Sequence, residues 1–280
     1  MADPNVSNGI LFIATGADYL RIAERGAKTA KAMMPNLPVD LITDGLHPVE
    51  EGVFDDVRIG SGETGPRARL RWLKETRFDR TLHVDADVTF VDDLQDVFRL
   101  LDKYELAVAQ DQSRNAIGNC QPLEHNLPDS FPQFNCGVIA YRSTPPVMLF
   151  FEDWNRMYHE REDPRDQPTF RLLVWQSDLR VGVLPPEYNL MNLALLNAWS
   201  AEHASPRLLH TPRLHRKIKQ GEGLYGDIDD LLGERFANRV RLLIEKRYIN
   251  LERRPRFMRK FIRERRQRRL QAKHMSTAQE

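Results

Sequence analysis

Residues 83–94, HVDADVTFVDDL, set two carboxylates one residue apart, Asp85 and Asp87, at the point where an apolar run gives out. In a strand, residues i and i+2 point to one face, so these two side chains converge. Like charges that close repel unless a cation lies between them or one takes a proton. The residues alone leave two readings open: a solvated strand end with acidic turn residues, or a cation site at the end of a buried strand. Asp92 and Asp93 read as structural. Asp93 is expected to cap a helix running to about Leu101, its side-chain oxygen taking free amides of the first turn. His83 reads as a packed strand residue.

Working outward, Gly9–Ala14 (GILFIA) is a short continuous apolar run, as in a strand covered on both faces. Leu20, Ala23, Ala27, Ala30 and Met34 follow at helical spacing, and Pro35 is the stop signal. Val39–Thr43 reads as a second strand, closed by Asp44 and Gly45, and Val53–Ile59 as a third. A helix over Arg67–Thr76 then leads to the strand Thr81–Val84, which delivers Asp85 and Asp87. Downstream, residues 110–133 form a long polar loop of the kind that often serves as a lid. FNCGVIAYR (134–142) is a further strand and Val147–Tyr158 a further helix. Alternating strands and helices predict an α/β fold with a mostly parallel central sheet. Ligands of such sheets bind beyond the carboxyl ends of the strands, where Thr15-Gly16 and Asp85-Ala86-Asp87 both fall.

At 280 residues and 41% apolar content, the chain can bury a sizeable core, which excludes wholesale disorder. Its net charge of +1 hides an asymmetry: residues 251–274 hold 11 Lys/Arg against 2 Asp/Glu, leaving the remainder at −8. Only Cys120 and Cys136 are present, and reduced thiols are the simplest reading. MADPNVSNG lacks a basic region followed by an apolar stretch, so no secretory signal is expected. No apolar segment reaches the length that spans a bilayer. A cytoplasmic protein is expected, with peripheral attachment to the inner face of a membrane open to its basic end.

Five stretches fall into a recognisable order: DAD (85–87), FNCGV (134–138), DQP (166–168), LPPEYNL (184–190) and LLH (208–210). Together, over about residues 9–216, they resemble the glycogenin-like group of retaining glycosyltransferases, which includes lipopolysaccharide galactosyltransferases. The resemblance implies a GT-A fold, a Rossmann-like sheet with an acceptor-side extension. It implies transfer from a nucleoside diphosphate sugar, a UDP-sugar in the first place, to a hydroxyl of a glycan or lipid-linked acceptor, with retained configuration. It also implies Mn2+, with Mg2+ as the alternative, held by Asp85, Asp87 and His210. Two carboxylates suit a hard octahedral cation, and an imidazole shifts the preference toward Mn2+.

The same resemblance gives Thr15 and Tyr19 to the nucleoside, with the ring on the base, and Arg69 and Ala86 to the diphosphate and sugar. Asn135 would bond sugar hydroxyls, and Cys136, where Ser or Ala is more usual, would be its small donor-side neighbour. Asp166 and Gln167 would lie beside the anomeric carbon as the catalytic pair, followed by an unusual Pro168. Asn189 would support the acceptor side. Where the family carries Gly and Lys at the diphosphate, three and six residues after the late histidine, this chain has Arg213 and Arg216. A guanidinium can clamp phosphate oxygens in their place.

Two other classes compete. VDADVTF also fits a haloacid-dehalogenase-type phosphohydrolase, a Mg2+ enzyme, with GDIDD (226–230) as its later acidic motif, although three strand signals precede the first motif. A non-catalytic GT-A-like scaffold with an RNA- or membrane-binding tail is the other; the three candidate ligands argue against it. Residues 1–247 are read as the GT-A domain and 248–280 as a helical basic extension. In it Phe257, Met258, Phe261 and Ile262 share a helical face flanked by Arg259, Lys260 and Arg263, which suits an anionic membrane surface. A nucleic-acid partner is not expected.

Overall fold

Buried β-branched and leucine-rich runs supply the centre of a seven-stranded sheet in the order β3-β2-β1-β4-β7-β6-β8. The computed structural model describes residues 6–252 apart from 63, 66, 117–126, 162–164, 221, 222 and 225. β1 (Asn8–Ala14) runs parallel to both β2 (Val39–Thr43) and β4 (Arg80–Val84), and β2 parallel to β3 (Asp56–Ile59). β7 (Phe134–Arg142) is inserted antiparallel between β4 and β6 (Leu106–Gln110), and β6 pairs parallel with β8 (Val181–Leu184). Four of these six pairings are parallel, so the expected mostly parallel sheet is found.

One face is covered by α1 (Gly16–Met33), which sets Leu20, Ile22, Ala23, Ala27 and Ala30 into the larger core. The other carries α2 (Ala68–Trp72), then, after the short α3 (Val97–Leu100), α4 (Pro145–Arg161) and α5 (Gln167–Gln176). Phe150, Phe151, Trp154 and Phe170 of α4 and α5 fill the second core against β7. The rings meet edge to face, as at Trp154–Phe170 with centroids 4.8 Å apart, the geometry their quadrupoles favour. Short helices α6 (Leu195–Ala198), α7 (Arg213–Lys219) and α8 (Ile228–Leu232) precede α9 (Glu234–Glu252). No helix among the described residues is long and apolar enough to cross a membrane.

A second, two-stranded sheet positions the chemistry. β5 (Val88–Phe90) pairs antiparallel with β9 (Leu208–His210), Val88 opposite His210, and Thr211 N donates to Asp87 O at 2.8 Å. Residues more than 120 apart in sequence, such as Val88 and His210, are thereby fixed side by side.

Three local expectations are corrected. The third strand begins at Asp56, because Val53 and Phe54 turn into the core ahead of it. The expected helix over 67–76 is α2 followed by a 3-10 turn, Leu73–Glu75. Asp93 caps no helix: its carboxylate accepts from Gln95 N, two residues on, and α3 starts only at Val97. That contact is an Asx-turn, which uses the same residue type for a different bond. Most of the basic extension lies outside the described residues, as do Cys120 and much of the expected lid.

Candidate active site

β4 ends at Val84, and Asp85 N continues its ladder with a bond to Gly137 O at 2.9 Å. Beyond that bond the chain leaves the sheet, and Asp85, Ala86 and Asp87 lie at the carboxyl end of the central strands. Here they line a cavity of about 190 Å3 with Thr15, Tyr19, Arg67, Arg69, His210 and His215. One ligand atom each from Asp85, Asp87 and His210 falls within 4.8 Å of the others. His210 Nε2 lies 3.1 Å from Asp87 Oδ1 and 4.0 Å from Asp85 Oδ2. His83 is packed as expected, its Nδ1 3.1 Å from Leu11 O.

The donor set fits a divalent cation, and so does the space beside it. A Cβ on Gly137 would stand 2.4 Å from His210 Cε1 and 2.9 Å from Asp85 Oδ2. The missing side chain lets both ligands approach the strand, a close approach only glycine permits. Arg69 Nη1 takes Asp85 Oδ1 at 2.5 Å, turning the other oxygen toward His210.

Charge is distributed so that both carboxylates stay ionised. Burial opposes ionisation of Asp85, but Arg69 and then the neighbouring imidazoles hold its carboxyl far below the ordinary range. Burial likewise opposes ionisation of Asp87, and His210 and His215 overcome it. For His210 burial alone would lower the pKa; the Asp87 carboxylate and, more weakly, Asp85 raise it.

Arg69 was expected at the diphosphate and sugar. It lines both cavities and is a buried bridge from Asp85 to Asp166, which accepts from its Nη2 at 2.5 Å and its Nε at 3.1 Å. Asp166 Oδ1 faces Arg67 at 3.5 Å, and Asp166 is 2% exposed. Its carboxylate is thus committed to two arginines. Gln167, at the start of α5, is the half-buried member of the pair. Its Nε2 donates to Phe134 O at 2.7 Å and to Asp111 Oδ2 at 3.1 Å, which leaves the amide oxygen for a ligand. Both residues border a second cavity, of about 240 Å3, which shares Arg67, Arg69, Asp85 and His210 with the first.

Strand alternation sorts the next group. Asn135 and Gly137 line the second cavity, while Cys136 points into the second core at 1% exposure, its thiol pushed up by burial. Cys136 therefore contributes only its carbonyl, 3.4 Å from Arg69 Nη1. Asn189 is 1% exposed and lies behind His210, with its amide spent on His210 Nδ1 and Asn135 Oδ1, both at 2.9 Å. It offers no side-chain atom to an acceptor.

Arg213 and Arg216 are exposed on α7 and outside both cavities. His215 faces inward between them, its Nε2 3.2 Å from Asp87 Oδ2 and its ring 4.5 Å from that of Tyr19. Sequence reasoning missed it by following the family offsets of three and six. Thr211, Leu214 and Ile218 are buried at helical spacing with His215, and that stripe was the available signal. Arg67 and Asp111 were missed as well. Of the competing phosphohydrolase motif, Asp227 caps α8 by accepting from Asp230 N, and Asp229 pairs with Arg241. Neither aspartate borders the cavities.

Residues 80–215 match the family described as nucleotide-diphospho-sugar transferase. No relative among curated proteins matches the chain. Among solved structures, the galactosyltransferase LgtC in complex with donor and acceptor sugar analogues is similar at 16% identity and a TM-score of 0.53. That match covers 83% of this chain and 95% of LgtC. A Gln-to-Glu active-site mutant of LgtC gives 16% identity and a TM-score of 0.52, covering 82% of this chain and 94% of that one. With the sheet order and the acidic strand end already described, these matches show a GT-A fold, in which residues 80–215 are similar to the nucleotide-diphospho-sugar transferase family.

Proposed function

We propose that this chain is a glycosyltransferase that moves a sugar from a UDP-sugar to a hydroxyl of a glycan or lipid-linked acceptor, with retained configuration, and depends on a divalent cation, Mn2+ in the first place. The observation that carries the reading is the convergence of Asp85, Asp87 and His210 within 4.8 Å at the floor of the cavity. A cation held by these three residues supplies positive charge against the diphosphate as the sugar–phosphate bond breaks. The LgtC structure was solved with donor and acceptor sugar analogues, which supports a sugar donor and a sugar acceptor here.

The chain's own residues divide the remaining work. Tyr19, on the first turn of α1, offers its ring to the nucleoside base at the end of the cavity that it shares with His215. Arg67 borders both cavities and faces the place where the leaving group gathers negative charge. The amide oxygen of Gln167 is the group offered to positive charge developing at the anomeric carbon. Asp166, held by Arg67 and Arg69, orients those arginines and is not the reacting group. An active-site glutamine is what the LgtC mutant alters, in keeping with this assignment.

The basic extension, residues 248–280, is proposed to dock the enzyme on the cytoplasmic face of an anionic membrane, where lipid-linked acceptors lie. Incubation with a panel of UDP-sugars, with and without Mn2+, and assay of released UDP tests the central reading. UDP release from one sugar that requires Mn2+ is expected; release from none in the presence of Mn2+ and acceptor glycans contradicts it.

A further inference from the structure

The positions of protons in the polar chain behind His210 follow from one backbone amide. Gly137 N–H can only donate, and it bonds Asn135 Oδ1 at 3.0 Å. That contact identifies the Asn135 oxygen, and the other end of the same amide lies 3.5 Å from the Asp111 carboxylate, an acceptor. The Asn189 atom 2.9 Å from Asn135 Oδ1 must then be its nitrogen, which places Asn189 Oδ1 against His210 Nδ1 at 2.9 Å. A carbonyl oxygen only accepts, so Nδ1 carries the proton. The lone pair of the neutral ring is left on Nε2, the atom that faces Asp87 and Asp85.

We propose that Asn189 is a positioning residue that holds His210 in its Nδ1–H tautomer and so presents Nε2 to the cation. The inference rests on the cation reading above. Its warrant is geometric: Asn189 is 1% exposed, and both polar atoms of its amide are committed. The backbone keeps it in place. Leu190 N donates to Leu208 O at 2.8 Å and His210 N to Leu190 O at 3.0 Å, zipping the 187–190 segment onto β9. Partners behind a metal-bound imidazole fix its tautomer and orientation in this way, and their loss lowers metal affinity by about 10- to 100-fold. The assignment also accounts for an asparagine at both 135 and 189. Each passes on a directional donor and acceptor, which a carboxylate or a hydrocarbon cannot do.

The test uses the full chain, free of metal and labelled with 15N-histidine, at a pH where the rings are neutral. Long-range 1H–15N correlations distinguish the two tautomers, and His210→Gln identifies the signal. The expected result is Nδ1–H for His210; Nε2–H overturns the inference whether or not the Asn189 variants fold. Calorimetry with Mn2+ alone supplies the second readout. Asn189→Leu should bind about 10- to 100-fold more weakly than wild type, while Asn189→Asp, which keeps an acceptor for Nδ1–H but sets its second oxygen against Asn135 Oδ1, should lose less than Asn189→Leu does. Unchanged affinity in Asn189→Leu, or equal losses in both variants, overturns the positioning role. Failure of the wild-type protein to bind Mn2+ overturns the cation reading and the second half of the inference with it, while the tautomer readout still decides the first half.

Discussion

Arg69 concentrates the energetics of the site in one side chain. Its guanidinium is 9% exposed and neutralises two carboxylates, Asp85 and Asp166, at 2.5 Å each. Removing one partner of a buried charge cluster leaves the others desolvated and unpaired, at a cost of about 3–5 kcal/mol. Arg69→Met is therefore expected to lower unfolding free energy by about that amount in denaturant titrations. Arg69→Lys, a point charge that cannot span both carboxylates, should fall between. Gln167→Ala should leave stability and donor KM nearly unchanged while kcat drops. Asp166→Asn should weaken donor binding as well, because Arg67 and Arg69 lose their anchor; a pure kcat effect would return Asp166 to the reacting face. The pH dependence of cation binding follows from His210. Burial would lower its pKa, but the Asp87 carboxylate raises it, so in the metal-free protein a proton competes for Nε2. Cation binding needs the neutral ring. Affinity should therefore weaken as pH falls through the raised His210 pKa and level off above it, with proton release on binding. Calorimetry of Mn2+ binding in buffers of different ionisation enthalpy reads that release directly, and no release contradicts this proton assignment.

At the scale of elements, the site depends on two strands coming closer than side chains ordinarily allow. β7 passes under His210 and Asp85 because residue 137 has no Cβ. Gly137→Ala should keep the sheet, judged by circular dichroism, but push His210 or Asp85 aside and sharply weaken cation binding. Unimpaired binding would show that the neighbours yield and that the close approach is incidental. The strands that build this geometry were legible in the sequence. β1 is a continuous apolar run, and β2, β4 and β7 are apolar-rich segments buried along almost their whole length, because helices cover both faces of the sheet. The convergence of Asp85, Asp87 and His210 was expected, from the one-residue spacing for the two aspartates and from the family resemblance for His210. The placement of Asn189, Arg69 and the α7 arginines was not legible, for a physical reason. A polar residue at a site can face the ligand or stand behind a residue that does, and composition is the same in both cases. Burial decides between them, and burial at Asn189 and Arg69 is set by long-range packing. On α7 the helical phase, fixed by Leu214 and Ile218, turns His215 inward and the two arginines outward.

The whole molecule combines a scaffold of ordinary α/β construction with one charged centre at its carboxyl edge and a basic end. Near that end α9 closes against α8, while the residues that carry most of the charge lie outside the described structure. Each basic residue near an anionic membrane contributes about 1 kcal/mol, so the net charge of +9 in residues 251–274 should bind such a surface in a salt-sensitive way. Sedimentation with anionic and neutral liposomes should separate the full chain from one ending at Glu252; equal recovery of both in the supernatant contradicts membrane docking and leaves the transferase reading intact. The central claim, that Asp85, Asp87 and His210 hold a cation through which the donor binds, is tested most directly by titrating UDP into the protein with and without Mn2+, in wild type and Asp87→Asn. UDP should bind at least about tenfold tighter with Mn2+, a difference of about 1.4 kcal/mol, and Asp87→Asn should abolish the difference. Equal UDP affinity with and without Mn2+ in the wild-type protein would contradict it.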